Sequence, residues 1–515
     1  MRSLLQVESY RKGIVLSSTF NIFNKVLVFS SNLLIAYYFG TKLNVDIYFY
    51  AYNTVLLIVT FITSLNSSVL VPESMRIRTR EQPEDAILFF NFFIYGYIVL
   101  TALLSLPFLI DITHAFTAIS NYNPASLRSQ SSILYLSVPL IMLITLTTLL
   151  TDILASYRFF TIPALAAIIN SVFSVFFIVF FHASLGIRSV TFGLLISYSV
   201  NILLLLFLMR RYLHWGFRYK RIHLGKKTWS NIAYAQTGNL LTTLGSYAPL
   251  YFLSGLGTGV IAALNYAQQL VTQPTTFITI QFASVARIKM SELYVKEDFK
   301  QVNTIFLSTA KFLVFILLPI SGLLFLYANE VVTILFKRGS FDAGSVSLSS
   351  DFLRYLGLSL PFTAIVSVAG NLYVAAQLIR ASIAWQIISN LLLIGLVYLS
   401  LRFFGHLGYP LAFLAINIVN TGVVYIFCRL FFQFIDYPGL LKYLIILLGC
   451  NALIVLALFE LKRMQPHSGP LPVVITGGLV YGAVILAANR IFHLNRDLTL
   501  LLGQIGRKIA PGIKK

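Results

Sequence analysis

The chain is a succession of about fourteen apolar segments, most roughly 20 to 27 residues long, parted by short polar breaks. A helix of ~20 apolar residues crosses a bilayer core. Lipid offers backbone groups no hydrogen-bond partners, so a chain of this pattern folds as a helix bundle bonded internally. The approximate spans are 14–39, 46–71, 86–110, 131–154, 159–183, 188–209, 231–256, 258–284, 305–328, 350–377, 381–404, 408–432, 440–460 and 470–490. The expected fold is therefore an all-α polytopic membrane protein with about 14 transmembrane helices. Composition agrees: charged residues make up 11 %, against ~25 % in a soluble domain. The first run, 14–39, is too long for the core of a cleavable signal and reads as a retained signal anchor. Cys428 and Cys450 both lie inside apolar segments and read as small core hydrophobes.

A net charge of +21 raises the question of a nucleic-acid partner, and its placement answers against one. With both termini on the cytoplasmic side, about 27 of the 38 Lys and Arg fall on that side. This bias orients a membrane protein, and the basic surface faces anionic headgroups. The longest basic break is 210–230.

Span seven restarts the pattern of span one. A shift of 216 residues brings span starts nearly into coincidence, 14 on 230, 131 on 347 and 159 on 375, and lays Tyr50-Ala51 on Tyr266-Ala267. The organisation expected is an N-terminal six-helix lobe (1–209), a basic cytoplasmic linker (210–230) and a C-terminal six-helix lobe (231–432). Two additional helices (433–490) and a basic cytoplasmic tail (491–515) follow. Parallel repeats of this kind are a transporter architecture, with substrate near the midplane and one lobe rocking on the other.

Charge inside a span is costly and marks a site by default. Lys25 lies eleven residues into span one, ~16 Å deep at 1.5 Å per residue, and is expected to face a wet cavity. Lys311 sits near the start of span nine and reads as snorkelling. Arg354 follows Asp351 by three residues, an i,i+3 pair. In span eight, Asn265, Gln268, Gln269 and Thr272 share one helical face, and Pro274 is expected to bend the helix. Such a face suits sugar hydroxyls or pyrophosphate oxygens, though amides also join helices in membranes. Asn32 and Asn53 are candidates for the same cavity. Gly478-x-x-x-Gly482 reads as a helix-packing motif.

Other chemistry is missing. Gly225-Lys226-Lys227-Thr228 lacks the upstream glycine of a phosphate-binding loop. No His/Cys/Asp cluster has metal-ligand spacing. The external acids Asp111, Glu330 and Asp342 are isolated, which argues against a membrane glycosyltransferase and an enzyme in general.

Several motifs carry a family resemblance. The segment Leu335-Phe336-Lys337-Arg338-Gly339-Ser340-Phe341-Asp342, with Tyr355, Gly357, Leu360 and Pro361 beyond it, resembles a hallmark of the MurJ/MviN lipid II flippases. These belong to the multidrug/oligosaccharidyl-lipid/polysaccharide exporter superfamily. Ile153-Leu154-Ala155, Arg158-Phe159 and Ile162-Pro163-Ala164 resemble the family's link between spans four and five. Phe39-Gly40 with Asp46 and Phe49 resembles its first loop, and Tyr266-Ala267 ahead of Pro274 its span eight. The resemblance implies a flippase that carries a polyprenyl-linked saccharide to the outer leaflet of the bacterial inner membrane, in support of peptidoglycan synthesis. It implies a cationic cavity for the headgroup and a groove for the lipid tail on the last two helices. It implies no cofactor; an ion gradient or the membrane potential drives transport, at ~2.3 kcal/mol per charge per 100 mV. Association with cell-wall synthesis proteins also follows from it.

The chain departs from that pattern in its cavity charges. The first basic residue is kept as Lys25, but the family's later Arg-Asp pair reads Ser31-Asn32. On span eight the usual Asp-Arg, with Glu three on, reads Gln268-Gln269 and Thr272. Arg grips a diphosphate as a fork and Lys only as a point charge. On this reading Lys25 is the main anion contact, while Ser31, Asn32, Asp46, Asn53 and the span-eight amides bind or gate. Two alternatives stay open: a translocase for O-antigen or capsular repeat units, and a non-transporting membrane scaffold that kept the fold. The topology itself is testable. An alkaline phosphatase fusion after Asp111 is expected to be active and one after Lys220 inactive; the reverse pattern overturns the assignment of sides.

Overall fold

A computed structural model describes residues 10–80, 82–220, 225–464 and 469–492. The expected basic tail lies outside them beyond Phe492, as does part of the basic linker. Among the described residues the fold is all-helical. In chain order the first helices are α1 (Tyr10–Phe39), α2 (Leu43–Leu65), α3 (Val71–Arg80), α4 (Pro83–Ile110), α5 (Ile112–Ala118), α6 (Pro124–Ser129) and α7 (Ser131–Ser156). Then come α8 (Thr161–Leu185), α9 (Arg188–Tyr212), α10 (Lys226–Leu253), α11 (Val260–Pro274), α12 (Ile280–Val295), α13 (Phe299–Leu326) and α14 (Ala328–Phe336). The last are α15 (Ala343–Gly357), α16 (Leu360–Ala375), α17 (Ile379–Phe404), α18 (Gly408–Phe431), α19 (Tyr437–Arg463) and α20 (Pro470–Phe492).

Ten helical stretches among the described residues are long and apolar enough to cross a membrane, eleven if the pair α15–α16, bent by 46°, is one span. One stretch, Arg380–Phe431, holds both α17 and α18, which pack on each other across a short 3₁₀ turn. The expected spans outside this set are α10 and α11–α12. These carry Gln236, Asn239, Gln268 and Gln269, and their polar faces dilute the hydropathy.

The helices pack as two units. The first runs to Ala262 and takes in Arg338–Asp342; the second comprises Ala263–Lys337 and the chain from Ala343. In the first, α7 is the most enclosed span and packs against α2, α4 and α9, while α8 bridges α9 and α1. The chain after α9 is not a free linker. Asn91 of α4, fully buried, donates to Gly216 O (2.7 Å) and Arg218 O (3.0 Å) and accepts from Trp215 Nε1 (2.8 Å). The Tyr95 hydroxyl donates to Phe217 O at 2.9 Å.

In the second unit α13 is central, against α12, α15, α16 and α19. The two final helices lean on it. A Cβ at Gly322 of α13 would lie 2.6 Å from Asn451 Oδ1 of α19, and that oxygen accepts from the buried Tyr481 hydroxyl of α20. A Cβ at Gly477 of α20 would collide with the hydroxyl end of the Tyr327 ring, whereas nothing comes within 4 Å of one at Gly478 or Gly482. The small residue that lets α20 dock is thus one position before the expected Gly478-x-x-x-Gly482 pair. Lys311 places its ammonium 5.6 Å from the Tyr443 ring centre. Arg354 stands 3.9 Å from Asp351, which His406 also approaches at 3.3 Å.

The two units share local rules. Arg158 after α7 and Gln377 after α16 both take left-handed φ, as do Gly186 after α8 and Gly405 after α17, and each pair is separated by 219 residues. At both non-glycine turns the next N–H reaches back five residues, Phe159 to Leu154 O and Leu378 to Tyr373 O. Packing follows suit: α4 on α7 and α7 on α9 correspond to α13 on α16 and α16 on α18. A five-residue π-helix follows both α2 (Asn66–Leu70) and α11 (Thr275–Thr279). One element breaks the parallel. α1 packs on α8, but α10 packs on α2 and so falls in the first unit, although the repeat assigns residues 231–256 to the second lobe. Its polar face explains the choice: Asn239 Nδ2 donates to Ser64 Oγ at 2.7 Å, and Gln236 Nε2 to Phe61 O at 3.2 Å.

Gly477→Val is expected to cost about 1–3 kcal/mol by overpacking, seen as a lower unfolding temperature in detergent. Gly478→Val, one residue on, should change it little.

Candidate functional site

The most elaborate polar site among the described residues lies where α1 turns into α2. α1 stops at Gly40, whose φ of +64° is left-handed, the backbone region glycine enters without steric cost. α2 then starts at Leu43, and its first turn carries Asp46. Asp46 is fully buried. Its Oδ1 accepts from Ala262 N at 2.8 Å and its Oδ2 from the Tyr122 hydroxyl at 2.8 Å. The N–H groups of Gly259 and Ile261 also point at it. These are orphan donors of the first turn of α11, and a carboxylate matches both their hydrogen bonds and the positive end of the helix dipole. The cap therefore comes from a distant helix.

Aromatic groups wall this carboxylate. Tyr50 meets Tyr122 edge to face at 5.3 Å. The Tyr50 and Tyr247 hydroxyls lie 2.6 Å apart and both donate to Ile119 O. Asn121 N donates to Ser254 Oγ at 2.8 Å. Burial, then the neighbouring Asp46 carboxylate, pushes the Tyr122 phenol well above its usual range, so it remains a donor.

The Gly339-Ser340 motif completes the knot. Ser340 N donates to Tyr37 O at 2.7 Å and Ser340 Oγ to Tyr38 O at 2.9 Å. Gly339, also left-handed at φ +60°, lies so close to Tyr37 O that a side chain would not fit, and Gly40 faces Ser340 O in the same way. Phe341 is buried beside them. Five residues reached from α14 thus dock on the α1–α2 turn by backbone contact, which is why this stretch needs Gly-Ser.

The remaining expected site residues are distributed as follows. Lys25 is half-buried on α1 and, among the described residues, makes no ion pair or hydrogen bond. Its neighbours serve helix packing: Asn24 Oδ1 accepts from Ser171 Oγ (2.7 Å) and Ser31 Oγ meets Ser174 Oγ (3.0 Å), joining α1 to α8. Asn32, buried, donates to Val28 O on its own helix at 3.0 Å. It shares a stripe with Lys25, seven residues apart. Asn53 is half-buried on α2. On α11, Asn265, Gln268 and Gln269 are half-buried, and Gln268 Nε2 lies 3.5 Å from the Tyr409 hydroxyl. Thr272 is exposed and returns its hydroxyl to Gln268 O. Pro274 is the last residue of α11, where the missing N–H gives way to the π-helix, closed by Ile280 N on Thr275 O. Lys25, Ser31, Asn32, Asp46 and Asn53 belong to the first unit, and Asn265 to Pro274 to the second.

A second polar cluster has no counterpart in the sequence reading. Asn66, fully buried at the head of the first π-helix, donates Nδ2 to Asp152 Oδ2 (2.8 Å) and accepts from the Tyr97 hydroxyl (2.8 Å). Asp152 lies two residues from the expected end of span four, and an acid within the apolar run 131–154 is the signal that could have found it. Tyr122 and Ser340 carried no signal as partners of Asp46 and Tyr37, being 76 and more than 300 residues away in sequence.

Comparison with known proteins places this arrangement. The fold is similar to that of a lipid II flippase MurJ solved in an inward closed conformation, with TM-score 0.77, 19 % identity, and 94 % of this chain and 100 % of that one covered. It is also similar to an inward-facing multidrug resistance MATE family transporter of the MOP superfamily, with TM-score 0.66, 14 % identity, and 81 % and 98 % covered. The fold is thus the polytopic helical one that these two solved proteins share. In sequence, the chain is 23 % identical over 431 residues to a probable lipid II flippase MurJ of Borreliella burgdorferi, with 82 % of each chain covered. It is 23 % identical over 330 residues to the lipid II flippase MurJ of Burkholderia cenocepacia, with 60 % and 62 % covered. The family model for lipid II flippase MurJ matches residues 35–472, and the chain belongs to that family.

Asp46→Ala strips the acceptor from Ala262 N and Tyr122 at once. An unsatisfied buried polar group costs about 1–3 kcal/mol, so a lowered unfolding temperature and faster proteolysis within 254–262 are expected. Asp46→Asn, which keeps one acceptor, should fall between the two.

Proposed function

We propose that this protein flips lipid II, a polyprenyl diphosphate carrying the peptidoglycan precursor, from the inner to the outer leaflet of the bacterial plasma membrane. The family match over 35–472 carries this reading. A flippase needs a polar path for the headgroup while the tail stays in lipid. Lys25 supplies the charge in that path: a half-buried ammonium with no protein counter-ion among the described residues has its electrostatic demand unmet, and a diphosphate meets it. Asn32, on the same stripe, and Asn53 offer neutral donors and acceptors to the sugars, and Asn265, Gln268 and Gln269 carry the same kind of groups on α11. Ser31 sets the pitch of α1 on α8. Pro274 and the π-helix after it give α11–α12 a place to bend.

The knot around Asp46 acts as the outer gate. In alternating access the headgroup leaves on the outer side only when the bonds from Ser340 to Tyr37 and Tyr38 and from Ala262 to Asp46 let go. Such bonds contribute about 0.5–1.5 kcal/mol each, small enough to be exchanged in a transport cycle. An ion gradient or the membrane potential drives the cycle, both termini face the cytoplasm, and cell-wall synthesis proteins are the natural partners. The replacement of the family's Arg pairs by Ser31-Asn32 and Gln268-Gln269 favours a second reading, in which the cargo is a different polyprenyl-linked saccharide such as an O-antigen or capsular repeat unit.

Complementation of a strain depleted of its lipid II flippase tests both. Wild type is expected to rescue growth, Lys25→Arg to rescue it, and Lys25→Ala to fail at equal membrane abundance. Rescue by Lys25→Ala removes Lys25 from the transport path. Failure of wild type, with rescue of a strain lacking a repeat-unit translocase, selects the second cargo.

A further inference from the structure

The loop between α18 and α19 borders a cavity of about 600 Å³ lined by Tyr425, Arg429, Gln433, Asp436 and Pro438 among others. A second cavity, of about 390 Å³, shares Tyr425 and Pro438 and runs along α19 past Leu441, Lys442, Ile445 and Ile446. Together they form one groove, polar at the loop and apolar along the helix. Arg429 is held in place by Tyr425: its Nε donates to the Tyr425 hydroxyl at 2.9 Å and its guanidinium lies 5.4 Å from the ring centre. Neither Arg429 nor Lys442 forms an ion pair among the described residues, and both are exposed. The carboxylate on this lining, Asp436, is turned onto its own helix, accepting from Gly439 N at 3.0 Å. Ile445 and Ile446 are exposed apolar residues, 66 % and 46 % accessible.

The spacing matches a lipid. α19 begins at Tyr437, and at 1.5 Å per residue Lys442 lies ~7.5 Å along it and Ile445–Ile446 ~12–14 Å. The headgroup zone of a bilayer is about 5–7 Å deep on each side. Lys442 thus stands at the inner edge of the headgroup zone, where its flexible stem carries the ammonium back to phosphate level, Arg429 lies in the last turn of α18 beside the same loop, and the isoleucines are within hydrocarbon. A soluble anion would leave the apolar half uncovered, and a neutral lipid would leave both cations unmatched.

We propose that this groove is a binding site for one anionic phospholipid of the bulk membrane, its phosphate between Arg429 and Lys442 and an acyl chain along Leu441, Ile445 and Ile446. The positive-inside bias assigns it to the cytoplasmic leaflet. Its residues stand on α18, α19 and the loop between them, whereas Lys25 is on α1.

Native mass spectrometry of the full chain in detergent tests it. Titration with phosphatidylglycerol is expected to give one saturable adduct, bound at least tenfold more tightly than phosphatidylcholine of the same chains. Arg429→Gln with Lys442→Gln should weaken phosphatidylglycerol at least tenfold and leave phosphatidylcholine unchanged. Arg402→Gln with Arg463→Gln, which removes two charges elsewhere, should change neither. Equal binding of the two lipids, or an equal loss in both double variants, overturns the proposal. Displacement by water-soluble glycerophosphate at matching concentration overturns it in favour of a free-phosphate site. If the first double variant fails to fold, Lys442→Glu alone, a single exposed change, is read by the same criteria.

Discussion

The structure depends on one constraint: within lipid, a polar group has only the protein to bond with. Helix formation satisfies the backbone, so the side chains decide how helices associate. Asn201 of α9 donates to Ala166 O and to Asn170 Oδ1 of α8. Ser31 meets Ser174, Asn91 holds three groups of the chain after α9, and the Tyr437 hydroxyl donates to Thr421 O. Each bond is modest, about 0.6 kcal/mol on average between transmembrane helices, but each fixes a register. Against this background Lys25 stands out. Its neighbours on α1 are engaged by α8 or by their own helix, while among the described residues its ammonium is not.

The same constraint explains the knot at the α1–α2 turn. Three backbone segments converge there with few side chains between them, which requires glycine at the contacts. Gly40, Gly259 and Gly339 all have positive φ, and a Cβ on any of them would strike backbone of a facing segment. Asp46 then satisfies the N–H groups that the start of α11 leaves open. The family hallmark at 335–342 thereby gains a physical meaning: Gly339 and Ser340 are required by close approach, and no catalytic chemistry is needed to account for them.

Much of this was legible in the sequence, and the limits are physical. Hydropathy located the helices because burial in lipid selects apolar residues along the whole length of a span. It was least informative for α10 and α11–α12, whose polar faces lower the same average that identifies the others. The repeat showed as an offset near 216 because span spacing is periodic, and the left-handed turns at Arg158 and Gln377 place it at 219 in that stretch. The packing of α10 on α2 was not legible, since a shared repeat says nothing about which neighbour Gln236 and Asn239 will bond. Gly478-x-x-x-Gly482 gave the right helix and the wrong glycine, because the motif fixes a spacing and not the direction from which Tyr327 arrives.

By itself, then, the sequence determined the class of fold and the positions of most of its helices. Those follow from local composition, which each segment carries independently of the others. The tertiary structure alone decided what the polar residues meet: Asp46 with Ala262 and Tyr122, Ser340 with Tyr37, Asn66 with Asp152, Gly477 with Tyr327. These contacts join residues from about 76 to over 300 positions apart. Hydrogen bonding and close packing act over a few ångströms of space, and separation along the chain leaves no local trace of them.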